Sequence, residues 1–200
     1  MAPHMRTVFM LLFVSLLLVA CGGGAPPVAE TPEGTPTPRP LFSSDFEEVC
    51  RRGTVERAPA YPDEGAIHPV MFFRQEPGND YFYEMSTLEL PVPWLADYET
   101  GYDDVELVLC MVATDSNFVE VCEYEDDESD DIFLLNMYDT TYEATLYTAH
   151  SGEALDTMTL ELTYDGDCPM FAFFSEEEED RYMSPTAGDL EAFLEPYVEP

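Results

Sequence analysis

Lysine is absent from this 200-residue chain, and its seven basic residues are all arginine. Against 42 Asp plus Glu they leave a formal charge of −35. Nucleic acid binding needs Lys and Arg to neutralise phosphates, and anionic headgroups attract polybasic segments. A nucleic-acid partner and electrostatic attachment to a bilayer are therefore both unexpected. Such like charge repels itself in the compact state, and salt or divalent cations would relieve it. Histidine is nearly as scarce: His68 and His150 are the only two beyond the first twenty residues. No Cys-x-x-Cys or His-x-x-x-His spacing occurs, so no zinc site is expected. Gly-x-Ser-x-Gly, P-loop, His-Glu-x-x-His and dinucleotide fingerprints are missing too. No catalytic residue and no cofactor is assigned, and the chain is expected not to be an enzyme. The alternative is hydrolysis by a carboxylate pair, which the many acidic residues permit without indicating.

Long apolar runs are also lacking. Thr7 to Ala20 is free of charge for fourteen residues, short of the roughly 20 needed to span a bilayer. It follows Arg6 and ends in Leu18, Val19, Ala20 and Cys21, which suits a cleaved export signal. Those last four residues resemble the lipobox of bacterial lipoproteins at every position. The resemblance implies cleavage before Cys21 and diacylglycerol on its sulfur, hence a membrane-anchored, extracytoplasmic chain in the cell envelope or at the cell surface. Losing Arg6 would leave 6 − 42 = −36. Gly22 to Pro40 carries six prolines, with Thr31, Thr35 and Thr37 between them. Such composition favours extended polyproline geometry. The expected organisation is a signal peptide over 1–20, a lipidated Cys21 with a Pro/Thr-rich linker over 21–41, and one domain over 42–200.

From residue 41 onward aromatic and β-branched residues come in short runs between turn formers, so the fold expected is mainly β. Sandwich-like antiparallel sheets with a short C-terminal helix fit best, and α+β is the alternative. His68–Arg74 and Tyr81–Glu84 read as strands around Pro77–Asp80. Val105–Ala113 and Phe118–Tyr124 read as a hairpin turning at Asp115, Ser116 and Asn117, which would set Cys110 opposite Cys122. Ile132–Ala149 is β-rich with an interruption near Asp139 and Thr140. Ala154–Tyr164 alternates as a half-buried strand, and a loop with Gly152 at its tip would set Leu146 against Met158. Leu190, Phe193 and Leu194 share helical spacing, and Pro196 is expected to stop that helix. Across this region His68-Pro69, Pro93-Trp94, Leu107 to Cys110, Cys122 to Tyr124, Ser151 to Glu153, Cys168-Pro169 and Leu190 to Val198 resemble a set of bacterial extracytoplasmic domains. That resemblance implies a shared fold and transfers no catalytic residue.

Beyond Cys21 four cysteines remain, an even number that reads as two disulfides with three possible connectivities. The hairpin register favours Cys110 with Cys122, leaving Cys50 with Cys168. Asp126, Asp127, Glu128, Asp130 and Asp131 read as a solvated loop, because the spacing is not that of a calcium-binding EF-hand. Glu176–Asp180 and the Asp165-Gly166-Asp167 turn read likewise, so no metal ligand is assigned. The function expected is a noncatalytic binding or scaffolding domain. Its partners would be the membrane, through Cys21, and an envelope protein or carbohydrate, taken if Tyr81, Tyr83 and Trp94 stand exposed together. The alternatives are an envelope hydrolase and a calcium-dependent surface adhesion module.

Overall fold

The computed structural model describes residues 39–62, 67–86, 88–96, 101–125 and 131–199. Cys21 and the acidic residues Asp126 to Asp130 lie outside these. The elements in order are helix α1 (Ser43–Cys50), strands β1 (Val70–Gln75) and β2 (Tyr83–Glu84), a 3-10 turn (Val92–Trp94), strands β3 (Leu107–Glu125), β4 (Ile132–Thr148), β5 (Ala154–Leu162) and β6 (Glu178–Tyr182), and helix α2 (Ala187–Val198). The class is mainly β with a short C-terminal helix, as expected. The strands form one mixed sheet, ordered β2-β1-β3-β4-β5, with β6 on β4. β1 runs parallel to β3, and β6 runs parallel to β4. A run buried on both faces belongs inside a covered, parallel-paired sheet, and Val70 to Phe73 are all buried.

Both faces of the sheet are covered where β1, β3, β4 and β5 meet. On one, Phe72, Leu107, Leu109, Met111, Tyr142, Ala144 and Leu146 pack with Leu190, Leu194 and Val198. Those last three sit at i, i+4 and i+8, on a single stripe of α2. Pro196 does not stop this helix at once: it lies in the final turn, and the helix ends at Val198. On the other face Met71, Phe73, Val108 and Cys110 pack with Phe46 and Val49 of α1. Full burial of one such side chain contributes about 1.5–3 kcal/mol.

β3 and β4 have 19 and 17 residues, about three times the usual strand length. The expected hairpin at Asp115–Asn117 does not form. Asp115, Ser116 and Asn117 instead pair with Thr141, Thr140 and Asp139, with register shifts on either side. Two polar interruptions that look like separate turns in the sequence thus face each other as one bulged waist. Hydrogen bonds replace apolar packing there. The Asp139 Oδ1 accepts from the Tyr164 amide at 2.7 Å, and the Thr140 hydroxyl oxygen accepts from the Met183 amide at 3.2 Å. Bulges sharpen local twist, so the waist divides a proximal half of the sheet from a distal ribbon.

The disulfides are Cys50–Cys110 and Cys122–Cys168, a correction to both expected pairs. Because β3 runs straight through Ser116, Cys110 and Cys122 are twelve residues apart on one strand, roughly 40 Å at strand rise. They stand opposite Thr145 and Leu135 of β4, an even separation that places both on one face. α1 delivers Cys50 to the proximal part of that face. The segment after β5, a strap spanning 163–177, delivers Cys168 to the distal part. The β4–β5 register also differs: Ala144, not Leu146, lies opposite Met158. From Thr140 to Leu146 this two-residue shift keeps side chains on their expected faces, and a bulge between Leu146 and Tyr147 then changes the register at Ala154. The shift follows from a tight turn in which Thr148 N–H donates to Glu153 O and Gly152 N–H donates to Thr148 O, both at 2.9 Å.

Candidate functional site

Two concave surfaces, about 570 and 590 Å³, meet at Arg74 and Ser184. Volumes of this size suit small ligands. Arg74 arrives at the end of β1, just past the run that is buried on both faces. The chain leaving β6 brings Ser184 to meet it on the way into α2. Arg74 Nη1 donates to the Ser184 hydroxyl and Nη2 to Glu76 Oε1 at 2.5 Å. Its side chain is 16% exposed. Beneath it Arg74 Nε and Tyr142 Oη are buried without a hydrogen-bond partner. Burial pushes the Tyr142 phenol up to about 12, because removing water disfavours the charged form.

Among the described residues, Arg74 is the one cation lining the first concavity, beside Tyr83, Glu84, Ser86, Glu89 and Thr186. Tyr83 donates to Tyr81 Oη at 2.5 Å and accepts from Asn79 Nδ2 at 3.1 Å. Burial, then the bond to Tyr81, pushes Tyr83 up to about 12. The two tyrosine rings meet edge-on with centroids 4.6 Å apart. The α2 N-terminus in this wall is already closed: Thr186 N–H and its hydroxyl both donate to Asp189 Oδ2 at 2.7 Å. A guanidinium among hydroxyls and carboxylates can hold a ligand carrying both acceptors and donors.

Of the aromatics expected together, Tyr81 and Tyr83 are exposed, whereas Trp94 is buried, its Nε1 donating to Glu199 Oε1 at 2.7 Å. His68 is buried at the entry to β1, with Nδ1 2.5 Å from Glu106 Oε2. His150 is exposed at the β4–β5 turn, with Nδ1 2.9 Å from Ala58 O. Asp131 is exposed, and Asp165 and Asp167 form a turn closed by Asp167 N–H donating to Asp165 Oδ1 at 3.1 Å. Glu178 to Asp180 are not loop but the start of β6, where Asn136 Nδ2 donates to both Glu178 and Asp180. Among the described residues one cluster, Glu120 with Cys122 and Cys168, has metal-ligand spacing. Both sulfurs are spent on their disulfide, and thiolate is the form that binds metal, so the cluster is not a metal centre.

The sequence carries one signal for the Arg74 groove, a lone arginine directly after the apolar run Val70 to Phe73 in a chain with few cations. Two disulfides fit an oxidising, extracytoplasmic compartment. Among the described residues no helix is long and apolar enough to cross a membrane. Comparison with protein-family models, curated proteins and solved structures finds no match to this chain.

Proposed function

We propose that this chain is a lipid-anchored extracytoplasmic binding protein. Cys21 carries the acyl chains, residues 22–40 hold the domain off the bilayer, and the domain binds a ligand without transforming it. Two or three acyl chains suffice for stable attachment, since each buried methylene contributes about 0.8 kcal/mol. The observation that carries the binding reading is the convergence of two concavities on Arg74, with the exposed Tyr81 and Tyr83 beside them. A ligand matching this lining is small, polar and overall neutral, such as an envelope saccharide or a short peptide. The acidic surface disfavours anions and leaves nucleic acid out. Glycan and peptide arrays probed with the full chain test the reading. Binding should fall at least tenfold in Arg74→Ala and in Tyr83→Ala. Ligands held equally well by both variants, or consumed by the wild-type chain, would overturn it.

A further inference from the structure

We infer that the strap over the distal ribbon is a docking loop for a protein whose apolar groove is bordered by arginine or lysine. Met170, Phe171 and Phe173 are 92%, 72% and 88% exposed. Single exposed apolar residues are ordinary, but a contiguous set rimmed by polar groups marks an interaction site. Three side chains of this size present roughly 400–600 Å², a large part of the roughly 800 Å² that one partner gives to a standard interface.

Their outward aim is built in. Alternate residues of the strap face the ribbon: Ala172 and Phe174 pack on the small distal core. The Phe174 ring lies 5.3 Å from Tyr124 and 5.1 Å from Phe133. Cys168 is fixed to β3 by the Cys122 disulfide, and Tyr124 Oη donates to Pro169 O at 2.7 Å. On the far side Glu177 O accepts from the Leu134 amide at 2.9 Å. Both ends of Met170–Phe173 are thus fastened, which lowers the ordering cost of binding through it.

Charge chooses the occupant. From Asp165 to Asp180 the chain carries seven carboxylates and no basic residue. A second copy would set this acidic rim against its like, and an anionic bilayer would repel it. A partner with a cationic border around an apolar groove satisfies both parts at once, with like-charge surfaces rejected. Met170, Phe171 and Phe173 lie outside the lining of both Arg74 concavities, although Asp165, Asp167, Pro169, Glu179 and Asp180 border the second of them, so the docking proposal does not rest on a ligand in that groove.

A defined probe stands in for the partner: an 18-residue amphipathic helix of leucine and lysine, with a leucine and glutamate version as its charge-reversed control. Anisotropy titration of the full chain at physiological salt should show the lysine peptide binding at least tenfold tighter than its control. Phe171→Ser/Phe173→Ser should weaken it at least tenfold. Glu176→Gln/Glu177→Gln should flatten its salt dependence, and the remote, exposed Val92→Ser should leave it unchanged. An unshifted melting curve and an intact Cys122–Cys168 bridge confirm that the phenylalanine variant is folded. No binding of the lysine peptide, or binding indifferent to the phenylalanines, overturns the proposal. So does phenylalanine-dependent attachment to phosphatidylcholine vesicles tighter than to the peptide, which would make a membrane the occupant. Phenylalanine-dependent dimers would make it a second copy.

Discussion

The proximal and distal halves of this sheet share two strands and differ in nearly everything laid over them. Proximally, helices cover both faces, and two clusters of fully buried side chains lie between. Distally, the strap covers one face over a core of Cys122, Leu135 and Met137. The opposite distal face keeps Phe118, Val121 and Ile132 at 56%, 42% and 55% exposure. Each half holds one disulfide, closing loops of similar length, 60 and 46 residues. In the chain-entropy model each contributes about 4 kcal/mol, so loop length does not distinguish them. Packing does. The distal bridge supplements a core of three buried residues, whereas the proximal bridge reinforces two much larger ones.

The sharpest break in this comparison comes from removing the bridges separately. Cys122→Ala/Cys168→Ala should cost up to about 4 kcal/mol, with hydrogen-exchange protection lost first across 118–125 and 132–138 while 107–112 stays protected. Cys50→Ala/Cys110→Ala should lower the melting temperature of the domain as one unit. Equal loss of protection in both halves of either variant would dissolve the distinction. Leu→Ala substitutions sharpen it next. Leu194, fully buried under the proximal sheet, should cost about 3–5 kcal/mol by denaturant titration, and Leu135, beside a strap able to settle, about 2–3 kcal/mol. Gly152→Ala tests the join between the chain just after α1 and the β4–β5 turn. At φ 67° an added Cβ would stand 2.5 Å from Gly53 O, so a loss of about 2 kcal/mol is expected from strain and displaced backbone together.

Alkali probes both halves more gently. Burial raises Tyr142 proximally to about 12, and burial, then the bond to Glu120, raises Tyr164 distally to about 12. A phenol raised in the folded state contributes stability that is fully present below its unfolded value of 10 and is lost as pH climbs through 12. Tyr142→Phe should therefore flatten the fall in melting temperature between pH 10 and 12. The smallest effect lies at the proximal edge. Hydrogen bonding from Arg39 holds the Asp45 carboxyl below its ordinary value of 3.8. That contribution is present above 3.8 and disappears as pH falls through the lowered value, so Arg39→Ala should slightly shallow the acid limb of a melting-temperature profile.

Much of this architecture was legible. Leu190 and Leu194 announced the α2 stripe, and alternation in 105–113 and 154–164 announced strands on their correct faces. Pairing was not legible. Asp115–Asn117 carries turn chemistry, and only the matching polar group at Asp139–Thr140 shows that the two clusters oppose each other across one ribbon. A period of two gives a side chain's face without naming the strand opposite, so the cysteine connectivity went astray with the hairpin. α1 was hidden because eight residues give only Phe46 and Val49 as an apolar signal. The Arg74 groove is assembled from β1, β2 and the chain before α2, positions more than a hundred residues apart that no local pattern connects. The outward aim of Phe171 and Phe173 is not legible either, because 170–174 is apolar at every position and alternation in exposure leaves no trace in hydropathy.

A peptide map of the protein taken from cell envelopes without reduction tests most directly both the oxidised state of the domain and the proposed lipid on Cys21. The account predicts Cys50 linked to Cys110, Cys122 linked to Cys168, and an amino-terminal peptide beginning at Cys21 with acyl mass attached. A Cys110–Cys122 peptide, or Cys21 found as a free thiol inside a longer amino terminus, would contradict it.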